Sequence, residues 1–490
     1  MSSDVDEHLN AAPVTPQTAR QRTRGFWLIG VAAVVAALLR LPFVFTGLST
    51  DEGGYAYVVQ QWSRGAAIYK DAWLDRPQGL LLTYRFLLWL NDSGWTIRLG
   101  VMAAGAIVTV ALGAIGWLLV NRFVGIVAAF LYAIVGVGPH LEGMTLNGEL
   151  LASVPSTISI ALAVYWWRRS RPWWVLLLAG LFAGLAITMK QSGIDGIIGG
   201  FVIVALAFTW SRLLIFCAGI AVPLVACVVH GITIGWSYYW TALAGYQFSA
   251  MGGSGSNSST RWHDFTVYAD QIAWDLLLIV VVSFFGWRKL DSGGRWLVGA
   301  WLFAGFVGIN LGGSYWPHYY MQPLPALVLL VACAICGVPS ATWRRVLIAV
   351  VALPTLIWMV ALIPLSPAAR ANRIPYDALA ARDDRIAAYI DATTAPSDRI
   401  YVLESEAYLY FAAQRTAPYP YLWGKPIDKI ADALPRLRAM LASPDRPTLV
   451  VLDTPNPATV DPSGGIATDL SRYYHVDRVV DGVTILRANG

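Results

Sequence analysis

Residues 79–91 read GLLLTYRFLLWLN, and whether this run crosses a bilayer decides the fold. A membrane helix needs roughly 20 mostly apolar residues. This run is shorter and carries Arg85 in its middle. If it crossed, Arg122 and the group Arg168, Arg169 and Arg171 would change sides of the membrane. The segment therefore reads as an amphipathic helix lying in the interface. Arg85 would snorkel from it to water.

The rest of the chain supports that parity. It has 490 residues, 57% hydrophobic and 13% charged. An ordinary soluble domain carries about 25% charge, so much of this chain sits where charge is costly. Apolar runs at 26–45, 96–120, 123–141, 150–167, 173–189, 194–210, 213–231, 271–287, 296–311, 323–340 and 346–365 predict eleven spans. Short basic clusters alternate with acidic connections. Arg122, Arg168, Arg169, Arg171, Arg212, Arg288, Lys289, Arg295, Arg344 and Arg345 fall on one side. Asp51, Glu52, Asp71, Asp75, Glu142, Glu149 and a Gly/Ser-rich stretch at 252–259 fall on the other. Cationic connections stay in the cytosol. The expected protein is therefore a multi-pass cell-membrane protein with a cytosolic tail over residues 1–25 and an extracytoplasmic C-terminus. The net charge of +5 follows from these clusters, which suit topology better than nucleic acid. The four cysteines all lie in apolar runs and imply no disulfide framework.

Charge returns after Pro367. The membrane part is expected over residues 26–367, with an outer loop of interfacial helices at 46–95. A small α/β domain is expected over 368–490. Its predicted elements are a helix at 382–393, a strand at 399–403, a helix at 426–441, a strand at 448–452 and a last strand at 479–486.

Chemistry gathers on the acidic side. The pair Asp51-Glu52 follows the first span in S-T-D-E-G-G-Y-A-Y, with Tyr55 one turn on. A carboxylate there suits a general base for an acceptor hydroxyl, and equally the first turn of a helix. Asp75-Arg76-Pro77 places a cation beside an acid, and Arg76 suits a phosphate. Asn147 and Glu149 open a span, where capping alone would explain them. Lys190-Gln191 ends a span on the side where cations are disfavoured. His318, Tyr319 and Tyr320 stand at the end of another. Arg40 is expected to snorkel.

Together these residues resemble the GT-C fold glycosyltransferases, specifically the group holding protein O-mannosyltransferases and lipid A aminoarabinose transferases. The matching motifs are the D-E pair, then G-x-x-x-Y-x-D at Gly65, Tyr69 and Asp71. Arg76-Pro77-Gln78 stands where the family has K-P-P. W-x-x-R-L falls at Trp95, Arg98 and Leu99, K-Q-x-G at Lys190, Gln191 and Gly193, and H-Y-x-x-x-P at His318, Tyr319 and Pro323. Arginine for lysine keeps the charge and changes its geometry. The resemblance covers about residues 26–340 and implies an inverting transfer from a polyprenyl-phosphate sugar to a hydroxyl of a glycan, lipid or protein. Asp51 and Glu52 would be catalytic. Arg76, Lys190, His318 and Tyr319 would hold the donor phosphate. Glu149, Asn147, Gln191 and Tyr55 would face acceptor or sugar. No cofactor is required, although a divalent cation on Asp51 and Glu149 stays open. A lipid-linked-sugar flippase and a non-catalytic envelope-assembly protein are the alternatives. Transporters usually place ionisable groups near the midplane, whereas here they crowd one face.

Overall fold

The computed structural model describes residues 16–489 apart from 170, 208–209, 253–257, 313, 376–377, 405 and 455. The first 15 residues of the expected N-terminal tail and the centre of the Gly/Ser-rich stretch lie outside the described residues. The membrane part runs α1 (Pro16–Leu38), α2 (Thr50–Ser63), α3 (Gln78–Leu90), α4 (Gly94–Leu119), α5 (Arg122–Val135) and α6 (Gly148–Arg168). It continues through α7 (Trp173–Met189), α8 (Asp195–Leu206), α9 (Trp210–Ile234), α10 (Trp236–Trp240), α11 (Tyr246–Gly252) and α12 (Ser258–Val267). It closes with α13 (Ala269–Gly286), α14 (Ser292–Gly312), α15 (Leu324–Cys336) and α16 (Ala341–Leu362).

Each of the eleven expected spans falls on a helix. Seven of these helices are long and apolar enough to cross a membrane, and four are shorter apolar helices: α5, α7, α8 and α15. The run expected at 123–141 stops being helical at Val135, and a buried irregular segment follows from Gly136 to Asn147. Buried non-helical backbone persists only where its polar groups find partners. Two arginines do so here. Arg40, 2% exposed, donates to the carbonyls of Ala36, Gly136 and Gly143. Arg98, 1% exposed, donates to those of Met144 and Gly47. The expected snorkelling of Arg40 is thus corrected: its fork is consumed by a loop some 100 residues away.

Residues 79–91 form the 13-residue helix α3, about 20 Å long, against about 30 Å of hydrocarbon. One face (Leu80, Leu81, Tyr84, Leu87, Leu88) is buried, and the other (Leu82, Phe86, Trp89) is exposed. The basic connections meet one another at the opposite end of the bundle. Arg168 pairs with Asp291, and Arg344 lies over Phe123.

The tail begins with α17 (Pro367–Ala371) and α18 (Ala380–Thr393). Strands β1 (Ile400–Leu403), β2 (Leu449–Leu452), β3 (Tyr474–Val480) and β4 (Val483–Ala488) form one sheet in the order β1-β2-β4-β3. The first pair is parallel and the other two are antiparallel. Between β1 and β2 run α19 (Tyr408–Ala412), α20 (Gly424–Lys429) and α21 (Ala433–Ala442), and α22 (Gly465–Tyr473) precedes β3. Two expectations need correction. The helix expected at 426–441 is two helices, α20 and α21. The strand expected at 479–486 is a hairpin, turned by Asp481 and Gly482, both at positive φ. An Asp-Gly turn of that kind matches the twist of paired strands.

The tail packs on α2. Gly53 and Gly54 make this approach possible: a Cβ on Gly53 would strike Tyr408, and one on Gly54 would strike Trp423 and Ala407. Thr50 Oγ1 also donates to Glu406 Oε1 at 2.7 Å.

Candidate active site

Helix α2 starts at a capping box. Ser49 accepts from the Glu52 backbone N–H, and the Ser49 backbone N–H donates back to Glu52 Oε2. Of the two adjacent acids, this geometry turns Glu52 inward and leaves Asp51 partly accessible. Glu52 is 1% exposed. Its Oε2 lies 3.1 Å from Arg98, and its Oε1 accepts from Leu146 N–H at 2.7 Å. Both oxygens of Glu52 are thus bound to structure, so its contacts do not point to the expected catalytic role.

Asp51 is set differently. Its Oδ2 accepts from the Tyr55 hydroxyl at 3.2 Å, and its Oδ1 accepts from Trp423 Nε1 at 3.2 Å. Tyr55 in turn accepts from Arg76 Nε at 3.0 Å, and Arg76 pairs with Asp75 at 2.7 Å. A continuous polar chain therefore links Asp51 to Arg76.

The G-x-x-x-Y-x-D motif builds the turn that delivers Arg76. Gly65, at φ +101°, ends the chain's exit from α2 in a conformation that other residues resist. Asp71 accepts from Ala67 N–H, and the Tyr69 hydroxyl donates to the Arg76 carbonyl at 3.0 Å. Gln191 donates to the Asp75 carbonyl at 2.7 Å, and Gln247 to the Asp75 carboxylate at 2.8 Å. Gln191, expected to face sugar, is thus a clamp on the Asp75-Arg76 turn. Burial pulls the Arg76 guanidinium's pKa down, but Asp75, Tyr55 and Asp51 outweigh it and leave the group above its ordinary value.

A second charged chain runs alongside. Lys190 pairs with Glu149 and lies 4.2 Å over the Tyr319 ring. His318 Nδ1 stands 2.6 Å from Glu142, and its Nε2 is 3.7 Å from Glu149. Burial pushes the Glu142 carboxyl upward against the pull of His318. Burial lowers His318, but Glu142 and Glu149 reverse this and raise it. Burial lowers Lys190 despite Glu149. Gln191, next to Lys190, donates to the carbonyl of Asp75, next to Arg76, so the two chains lie side by side.

The expected residues therefore converge: Asp51, Tyr55, Arg76, Glu149, Lys190, His318 and Tyr319 share one region. Asn147 does not serve it directly. Its side chain caps α6 by accepting from Leu150 N–H at 2.8 Å. Two contributions were not expected. Trp423 reaches Asp51 from the tail, 372 residues away in sequence. From the same W-G-K-P stretch, Lys425 Nζ donates to Ser314 Oγ at 3.0 Å. The aromatic-Gly-Lys run was a usable signal, but nothing local tied it to Asp51.

Each cation in the locus already faces a carboxylate: Arg76 faces Asp75, Lys190 faces Glu149, and His318 faces Glu142. Such pairing fixes the cations in place before a ligand arrives. A divalent ion on Asp51 and Glu149 does not fit this arrangement. Asp51 is engaged by an indole N–H and a phenol O–H, and Glu149 by an ammonium. Among the described residues no group of three His, Cys, Asp or Glu is set to hold a metal.

No protein-family model and no curated protein matches the chain. Solved structures do. ArnT from Cupriavidus metallidurans bound to undecaprenyl phosphate superposes with a TM-score of 0.63 at 15% identity, over 94% of this chain and 97% of that one. Its apo form gives 0.58 at 15% identity, over 96% and 98%. The oligosaccharyltransferase AglB from Archaeoglobus fulgidus, in complex with an inhibitory peptide and a dolichol-phosphate, gives 0.52 at 10% identity, over 88% and 70%. At such identities the likeness speaks for the fold, and the fold is GT-C, as the motifs suggested.

Proposed function

We propose that this protein is a membrane glycosyltransferase that moves a sugar from a polyprenyl-phosphate donor to an acceptor hydroxyl at the outer face of the membrane. The observation that carries this reading is the chain Asp51–Tyr55–Arg76, which joins a partly accessible carboxylate to a fixed guanidinium. The fold shared with proteins bound to undecaprenyl phosphate and dolichol-phosphate supports it.

Asp51 takes the proton from the acceptor hydroxyl as that oxygen attacks the anomeric carbon. The bond from that carbon to the phosphate oxygen breaks, the electron pair leaves with polyprenyl phosphate, and configuration inverts. Arg76, Lys190 and His318 meet the charge developing on the leaving phosphate. Their carboxylate partners hold them in position, so little reorganisation is needed when charge appears. Glu52 and Asn147 shape the framework. Acceptor and sugar lie near Glu149, Tyr55 and Trp423.

Donor binding tests the assignment of Arg76. With a short-chain polyprenyl phosphate and the purified protein, Arg76→Ala weakens binding on the order of 10- to 100-fold, the range for losing hydrogen bonds to a charged group. Arg76→Lys keeps the charge without the planar fork and costs roughly a few-fold. Unchanged binding in Arg76→Ala removes Arg76 from the phosphate site.

We place residues 26–367 in the catalytic membrane part and 368–490 in an extracytoplasmic domain covering its outer face. The basic connections argue for this orientation. Reporter fusions at Arg169 and Lys289 read cytosolic, and one at Asp384 reads external. An external signal at Arg169 reverses the arrangement.

A further inference from the structure

A groove of about 640 Å³ lies between α2 and α3, away from Asp51, Arg76, Lys190 and His318. Its walls include Val59, Gln60, Arg64, Leu82, Arg85 and Trp89. We propose that this groove binds the phosphate of a bilayer glycerophospholipid between Arg64 and Arg85, with an acyl chain along the outer face of α3.

The first ground is unspent positive charge. Neither Arg64 nor Arg85 has a carboxylate at ion-pair distance among the described residues, in contrast to the paired cations of the candidate active site. Arg85 lies 4.4 Å over the Trp62 ring. A guanidinium held against a ring keeps its planar fork, which suits a phosphate bidentately. Asp92 also lines the groove and accepts from Gln60 Nε2 at 2.8 Å. It offsets one charge and leaves an excess of one positive.

The second ground is what borders the charge. Leu82, Phe86 and Trp89 on α3 are 53%, 58% and 77% exposed. An exposed apolar face beside unpaired arginines suits a helix lying in the interface, a position that would put those side chains at acyl-chain depth and the arginines at headgroup level. A free phosphate would have no use for the apolar wall. The donor lipid is served elsewhere. Arg85 lies seven residues beyond the first residue of α3, about 10 Å along the axis, whereas Arg76 precedes that helix.

Native mass spectrometry of the full-length protein in detergent, titrated with phosphatidylglycerol, tests the proposal. Phosphatidylglycerol binds at the groove. Arg85→Gln weakens it about fivefold, and Arg64→Gln with Arg85→Gln about 25-fold, the scale for basic residues at an anionic surface. Binding of a short-chain polyprenyl phosphate, and turnover, stay at wild-type level. If the double variant does not fold, Arg85→Lys serves instead: charge without the stacked fork still loses part of the affinity. Phosphatidylglycerol binding unchanged by these substitutions overturns the proposal. So does equal binding of uncharged diacylglycerol, or of inorganic phosphate alone. Parallel loss of polyprenyl phosphate binding assigns the groove to the donor and overturns it as well.

Discussion

Asp51→Asn lowers the rate of transfer on the order of 100-fold or more, the usual contribution of a positioned general base, while donor binding holds near the wild-type level. The substitution keeps the shape of the side chain and one oxygen to accept from Tyr55 or Trp423, so the site survives and the basicity does not. In the proposed reading the donor phosphate is met by Arg76, Lys190 and His318, none of which bonds directly to Asp51. Separate measurement of donor binding and turnover therefore splits the two functions. Tyr55 couples them, because its hydroxyl donates to Asp51 and accepts from Arg76. Tyr55→Phe should loosen both ends of the chain and depress binding and rate together, each less than the direct substitutions do. A first-turn carboxylate also has a plain structural use, and loss of a helix-terminal contact costs only about 1 kcal/mol of stability. That alternative leaves turnover per folded molecule intact. Full specific activity in Asp51→Asn would remove it as the base.

The helices were legible in the sequence because their signal is local. Twenty apolar residues have few options in a bilayer, and the basic connections gave an expected parity. Residues 79–91 illustrate the limit: the charge at Arg85 and the side on which the basic connections fall argued against a span, but did not give the direction of the exposed face. The site was legible as a list of charged residues and illegible as a set of pairings. Arg98 stood in a recognised motif, yet its partners Gly47 and Glu52 come from one stretch of chain and Met144 from another, each some 50 residues away. Arg40 looked like a snorkelling residue because nothing near it announced the carbonyls of Gly136 and Gly143. Trp423 was unreachable by local reasoning, since its contact with Asp51 depends on Gly53 and Gly54 letting the tail approach. The missed hairpin has a different cause. β3 carries a register shift between Val476 and Arg478, and most of its residues are not buried. It therefore lacks the alternation that marks a half-buried strand, and the Asp-Gly turn was left without a visible partner.

Glu52→Ala destabilises the fold by about 3–5 kcal/mol, the cost of breaking a buried ion pair from one side, although its neighbour Asp51 gives a purely functional defect. Arg98, 1% exposed, would lose the Glu52 carboxylate. The Leu146 N–H would lose its acceptor, and the capping box at Ser49 would lose its return hydrogen bond. Against a typical total stability of about 5–15 kcal/mol, such a loss shows as poor yield and a lowered unfolding temperature in detergent. Glu52→Gln keeps an oxygen for Leu146 but presents an amide N–H toward Arg98 or Ser49, where donors already face it, so it recovers only part of the loss. The material that does fold should turn over at near wild-type rate per molecule, because neither oxygen of Glu52 reaches the locus of Asp51 and Arg76. Thermal unfolding read beside specific activity separates the two acids. A Glu52→Gln variant with normal unfolding and a rate reduced 100-fold would exchange their roles and make Glu52 the base.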